Sequence, residues 1–276
     1  MTLKTNGQYE QRRELIAKGS YAKKQILCKD RVVSWSHRSR FDFGCELVEQ
    51  YAGGRFLDYG FGDGTFLAMV SHLFDRAVGV DPDEKQVAEC TERFAGIRDL
   101  SFLAVDQISG NEHTGQYDLI VCMEVMEHCL PDILERVLND LRRLVKADGT
   151  VIISVPVEIG PTLLSKQLLR RAAALRNLGD YKYFEKYSLR DFLKMFFAGK
   201  KSSIERPIYF ADNRLRTRPF HGHKGFNWRA LKLMIEKKFL VERMEFSPVG
   251  WSRGYFSSQA WFICKPMIKP DGPGAA

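Results

Sequence analysis

The chain of 276 residues has no run of about 18 uncharged apolar residues, so it offers no segment able to cross a bilayer as a helix. Its six cysteines form no CxxC pair and no metal-ligand spacing. Their pattern excludes a zinc module or disulfide framework and predicts reduced, mostly buried thiols. Residues 1–13 are polar and lack the apolar centre of a secretion signal, which predicts a cytoplasmic protein. Internal repeats and low-complexity tracts are also missing. What is present is ample core material: 45% apolar and 12% aromatic residues exclude disorder and coiled coil for most of the chain.

The net charge of +8 is unevenly placed. Residues 1–40 hold 10 Lys/Arg against 3 Asp/Glu, and residues 160–225 hold 15 against 5. Two basic segments on an acidic body point to an anionic partner: a phosphate-bearing substrate, a lipid surface or nucleic acid.

From residue 55 short apolar runs alternate with stretches of helical period, the pattern of a mostly parallel sheet covered by helices. The expected strands are 55–58, 77–81, 101–105, 117–123 and 150–155, with helices near 65–74, 83–94 and 132–145. Residues 160–225 show no clear strands and read as a mostly helical insertion. A helix at 228–239 follows, then strands at 240–247 and 259–264 placed to pair antiparallel. The organisation expected is an N-terminal helical segment (1–54), an α/β core (55–159), a basic, mostly helical insertion (160–227), a closing helix and hairpin (228–265) and a flexible tail (266–276).

The strongest chemical signal is a strand running into Asp58-Tyr-Gly60-Phe-Gly62-Asp-Gly64 and then a helix. Alternate glycines let backbone approach a ligand closely, and the helix start offers unpaired N–H groups. The dinucleotide fingerprint would need glycine at position 65, where threonine stands. Asp58 is also an acid where a pyrophosphate would prefer none, so the ligand is cationic at this end. Asp81, at the tip of the second strand, is placed to accept hydrogen bonds from two ribose hydroxyls.

These residues resemble the class I S-adenosylmethionine-dependent methyltransferases over about residues 35–155 plus the closing hairpin. The likeness rests on Asp58-x-Gly60-x-Gly62-x-Gly64, on Asp81-Pro82, on Val105-Asp106 and on Glu124-Val-Met-Glu127-His128. It implies a doubly wound, seven-stranded Rossmann-like α/β sheet and S-adenosylmethionine as cofactor. By resemblance, Asp58 and the three glycines hold the methionine end, Asp81 with Pro82 the ribose, and Asp106 with Gln107 the adenine, while Glu124 lines the donor site. The Asn/Asp-Pro-Pro-aromatic turn of base and glutamine amino methylation is absent, and neither Cys122 nor Cys129 follows a proline as a cytosine-attacking cysteine would. The Glu-Val-Met-Glu-His pattern instead looks like the branch that methylates small molecules, glycans and lipid-linked acceptors.

A hydroxyl acceptor needs a base, and histidine is the natural choice. His221 and His223, where the insertion returns to the core, are the first candidates and His128 the third; a solvated turn is the plain alternative for the first two. His-x-His lacks a third ligand with suitable spacing, so no metal is expected. Trp35 or Arg38 either folds over the cofactor or belongs to an ordinary covering helix. The stripe Leu164, Leu168, Ala172 and Leu175, with Lys166, Arg170 and Arg176 elsewhere around the helix, suits an anionic membrane surface, an apolar acceptor, the protein's own core or a dimer partner. The aromatic run Tyr181 to Tyr187 suits stacking on an acceptor or simple packing. The expected activity is O-methylation, in the cytoplasm or peripheral to a membrane. The alternatives are RNA methylation, disfavoured by the missing signatures, and a cofactor-binding regulatory subunit that has lost transfer.

Overall fold

The computed structural model describes residues 4–26, 31–175, 185–213 and 216–267. Within them a seven-stranded sheet has the order β3-β2-β1-β4-β5-β9-β8. Its strands are β1 (Arg55–Tyr59), β2 (Arg76–Asp81), β3 (Leu100–Ala104), β4 (Tyr117–Met123), β5 (Val145–Pro156), β8 (Phe239–Ser247) and β9 (Gln259–Pro266). The first five are parallel, and β9 runs antiparallel between β5 and β8. Each of the five expected inner strands is therefore present, with ends displaced by a few residues.

The sheet is covered on both faces because its central strands are mostly apolar and buried, with Asp58 on β1 and Thr150 and Ser154 on β5 as buried polar exceptions. Phe56, Leu119, Val121, Ile152 and Trp261 pack with α2 (Arg31–Glu49), α3 (Thr65–Val70) and α4 (Glu84–Arg93). Their neighbours Leu57, Ile120, Cys122, Ile153 and Phe262 pack with α5 (Pro131–Leu144) and α8 (Trp228–Ile235) on the other face. Local chemistry sets the helix starts. Asp83 caps α4 by accepting from Lys85 N at 3.0 Å, and Pro131 occupies the first turn of α5, where its missing N–H costs nothing.

The insertion departs from expectation. Besides α6 (Pro161–Leu175) and α7 (Leu189–Phe196) it contains an antiparallel hairpin, β6 (Ile208–Asn213) with β7 (Arg216–His221). This hairpin forms its own two-stranded sheet, so it lacks the one-sided apolar alternation that marks a half-buried strand, and Pro219 is tolerated because neither strand is central. Helix α1 (Lys4–Lys18) and a short π-helical turn at Ala22–Ile26 precede α2. Of the aromatic run Tyr181 to Tyr187, residues 181–184 lie outside the described residues, as do Arg176 and the tail from 268.

The parallel strands present their C-terminal ends to one edge. Loops 60–64, 81–83, 124–128 and 157–160 meet there, where open α/β sheets bind ligands.

Candidate active site

Gly60, Gly62 and Gly64 all take positive φ, at 87°, 58° and 72°, so the chain turns off β1 into α3 through left-handed backbone. At Gly60 a Cβ would come 2.2 Å from Val125 Cγ2, which puts the segment after β4 directly against the glycine loop. Asp58 lies beneath this turn, 2% exposed, with Oδ2 buried and unpartnered. Burial first, and the charge of Asp81 second, push its carboxyl up to about 8. A buried acid with an orphaned oxygen is suited to a cationic ligand group.

Asp81 braces the same loop. Its Oδ2 accepts from Gly62 N at 3.0 Å and its Oδ1 from Asp83 N at 2.8 Å. Burial raises its carboxyl to about 6 against those two N–H bonds, which pull the other way. Pro82 is exposed and begins the turn into α4. Asp106 is exposed on the turn after β3, whereas Gln107 uses its Oε1 to accept from Ala104 N at 2.7 Å, capping its own turn.

Glu124 takes φ 58°, a conformation rare outside glycine, and the surroundings hold it there. Its Oε2 accepts from Arg40 Nη1 at 2.7 Å. With its amide oriented to donate, Gln259 Nε2 lies 2.7 Å from Glu124 Oε1. Arg40 also donates to Tyr21 Oη, which stands 2.7 Å from His37 Nδ1. Burial, then Arg40, push His37 down to about 4, so its neutral ring accepts the tyrosine proton. Arg40 is buried with its Nε unpartnered. Trp35 and Arg38 of this helix, the candidates for a residue over the cofactor, are both exposed. The period through buried Phe41 and Leu47 turns Arg40 inward instead, and that periodicity is the signal that would have found it.

Asp63, inside the glycine loop, ties the N-terminal segment down. Its Oδ2 accepts from Tyr21 N at 2.8 Å and Ala22 N at 3.3 Å, and its Oδ1 from Thr65 N at 3.2 Å. Gly19 permits the approach, since a Cβ there would lie 2.5 Å from Asp63 Oδ2.

The opposite wall carries the histidines. Glu127 is fully buried with both carboxyl oxygens unpartnered, and burial, then Glu124, hold its proton well above the usual carboxylate range. Its Oε1 lies 3.7 Å from His128 Nε2. His128 Nδ1 is 2.8 Å from the His221 carbonyl oxygen, which can only accept, so the proton sits on Nδ1 and Nε2 is the basic nitrogen. The His128 side chain is 39% exposed, within reach of a ligand. His221 directs its own Nδ1 to Pro207 O at 3.0 Å. The His223 ring stands edge-on to His128 at 5.1 Å, and burial pushes it down to about 3, so it stays neutral. Arg206 fastens this wall by donating to the carbonyls of Glu127 and Gly222.

Behind it Glu158 receives Lys166 at 2.9 Å and Arg170 at 2.8 Å. Those two cations overcome burial and hold it at about 2. Among the described residues no group of three or more His, Cys, Asp and Glu side chains is arranged to hold a metal ion.

Residues 36–196 match a family model described as a methyltransferase domain. Among curated proteins the chain is similar to the ubiquinone biosynthesis O-methyltransferases of Bordetella avium and Acinetobacter baylyi. It is 30% identical to the first over 118 residues and 29% to the second over 115, covering 42% and 39% of this chain. It spans about half the length of these relatives, 48% and 47% respectively. Among solved structures it resembles a Pyrococcus horikoshii protein with TM-score 0.56 at 16% identity, covering 90% of this chain and 97% of that one. It also resembles the magnesium protoporphyrin IX methyltransferase of Synechocystis, solved with bound S-adenosylhomocysteine. There the TM-score is 0.51 at 14% identity, with 94% and 95% covered. At these identities the structural likeness is one of fold.

Proposed function

The chain belongs to the S-adenosylmethionine-dependent methyltransferases, and from that premise we propose that it methylates a hydroxyl oxygen of a small, apolar, lipid-linked acceptor, with His128 as base. Three features of the cleft fit the donor. The unpartnered Asp58 Oδ2 suits its ammonium, the turn at Gly60 to Gly64 gives close approach, and Asp81 at the tip of β2 suits a ribose diol. When bound, the donor supplies an activated methyl group on a sulfonium sulfur.

The protein's own residues then position and deprotonate the acceptor. His128 follows the segment that packs against Gly60, which sets it on the wall beside the donor site. The observation that carries the reading is the His221 carbonyl on His128 Nδ1, which presents Nε2 as the proton acceptor. Burial of Glu127 beside it favours that carboxyl's protonated form, which adds no second anion against an oxygen gaining negative charge. His221 therefore acts through its backbone, and its side chain and His223 support the wall. The curated relatives are named for ubiquinone biosynthesis, which favours a lipid-linked acceptor over a glycan, and RNA remains disfavoured.

His128→Gln should keep donor affinity within about two-fold and lower transfer by about 10²–10⁴-fold. Isotopically labelled donor with extracted lipids, small molecules or RNA as acceptors reads both the rate and the class. Normal turnover by His128→Gln would remove the base, and label entering RNA alone would replace the acceptor class.

A further inference from the structure

Helix α6 buries Leu163 in the core, yet on its other side the usual polarity is reversed. Its charged residues Lys166 and Arg170 turn inward to buried Glu158, while Leu164, Leu168 and Leu169 face outward, Leu168 at 57% exposure. The expected stripe through Leu164 and Leu168 therefore exists but points away from the core. Ordinary surface helices show the opposite arrangement. Nearby α7 adds Leu189, Leu193 and Phe197, exposed at intervals of four beside exposed Arg190 and Lys194, with Phe197 at 75%. The loop between β8 and β9 adds Trp251 at 82% exposure, with Tyr255 and Phe256.

These three elements adjoin. Thr162 Oγ1 donates to the carbonyls of Gly254 and Tyr255 at 3.0 and 2.9 Å, which fixes the loop to the start of α6. Phe197, Pro161 and Tyr255 line one groove of about 200 Å³. Because β8 is parallel to β5 through β9, the loop emerges from the same sheet edge as the donor cleft. The charge around this apolar face is mostly basic. Arg171, Arg190, Lys194, Lys200, Lys201 and Arg253 are exposed on or beside it. Helix α6 and the stretch 250–256 contain no acid, and α7 contains only Asp191, which lies 3.6 Å from Lys224.

We infer that α6, α7 and the 250–256 loop form a docking face for a bilayer containing anionic lipid. A large apolar patch calls for a partner, interfacial Trp and Tyr suit the headgroup boundary, and the basic rim selects acidic headgroups. The inference rests on the lipid-linked acceptor reading only for its consequence, that the cleft opens toward the membrane holding the acceptor. Docking itself is measurable without any acceptor.

The test is flotation of the full chain with phosphatidylcholine vesicles, with and without phosphatidylglycerol. Binding should require phosphatidylglycerol and weaken as salt rises. Leu168→Glu and the pair Phe197→Glu/Trp251→Glu should abolish flotation, and Lys200→Glu/Lys201→Glu should weaken it by at least about five-fold per residue. Circular dichroism and donor calorimetry confirm that each variant is folded. Undiminished flotation of the variants, or no binding to acidic vesicles, overturns the inference. So does a concentration-dependent dimer that Leu168→Glu dissolves while vesicles are ignored, since a second copy then covers the face. Vesicle binding without donor binding would sink the enzyme reading and leave the docking face standing.

Discussion

Asp58 is a carboxyl held dry at the end of β1 with one oxygen unmatched, so its protonation is tied to what occupies the cleft. Its folded value near 8 lies above the ordinary 3.8. The folded state thus holds a proton that the unfolded chain releases. That contribution to stability is full below about pH 4 and is lost as pH rises through about 8. Asp58→Asn should flatten the decline in stability across that window, measured by urea unfolding at several pH values. A bound ammonium favours the ionised form, so donor binding near neutral pH should release a proton. Calorimetry in buffers of different ionisation enthalpy would detect the release, and Asp58→Asn should abolish it. Asp81 has the separate task of a neutral-ligand contact: Asp81→Ala should weaken donor binding by about 1.5–3 kcal/mol, the scale of hydrogen bonds to a charged acceptor. Equal affinity would place the ribose elsewhere. The Arg40–Glu124 pair is a third residue-scale case. Breaking it from one side strands a buried charge, so Glu124→Ala should destabilise by about 3–5 kcal/mol, with Arg40→Met/Glu124→Gln recovering much of the loss.

At the scale of elements, Asp63 is the tie that draws the N-terminal segment onto the glycine loop. Asp63→Ala removes the acceptor of Tyr21 and Ala22 N–H while leaving the sheet untouched. Hydrogen exchange at those two amides should accelerate by a factor matching about 1–3 kcal/mol, with β4 and β5 unchanged. The elements also mark where sequence reading succeeds and stops. Strands β1 to β5 are legible because burial on both faces demands continuous apolar runs, and Asp58 and Asp81 are legible because they end two of them. The β6–β7 hairpin is not, since it packs apart from the main sheet and alternates with neither face. Arg40 escapes because its role depends on which way one helix is rotated, and the reversed polarity of α6 escapes because Glu158, which draws Lys166 and Arg170 inward, is a single buried acid from β5's exit. Nor does any local pattern signal the contact of the His221 carbonyl with the His128 ring, which joins residues 93 apart and bears on the choice among His221, His223 and His128.

Across the whole molecule, the loops after β1, β2 and β4 meet at one sheet edge and the N-terminal segment is tied to the first of them through Asp63, so a donor bound there as proposed would share its contacts with global stability. A ligand that binds only the folded state adds RT ln(1 + [L]/Kd), about 2.7 kcal/mol at a hundred-fold excess over Kd. For a chain of this size that corresponds to a rise in Tm of roughly 5–10 °C. S-adenosylmethionine and its demethylated product should both produce it, because the ribose and ammonium contacts do not involve the transferred methyl. The response should be graded by site: cut to between about a half and a tenth in Asp81→Ala at the same ligand concentration, reduced in Asp63→Ala as the N-terminal segment loosens, and undiminished in His128→Gln and Leu168→Glu. A shift of wild-type size in Asp81→Ala would show that the stabilising ligand sits outside the cleft. A shift lost in His128→Gln would show that this histidine holds the donor and is not the base.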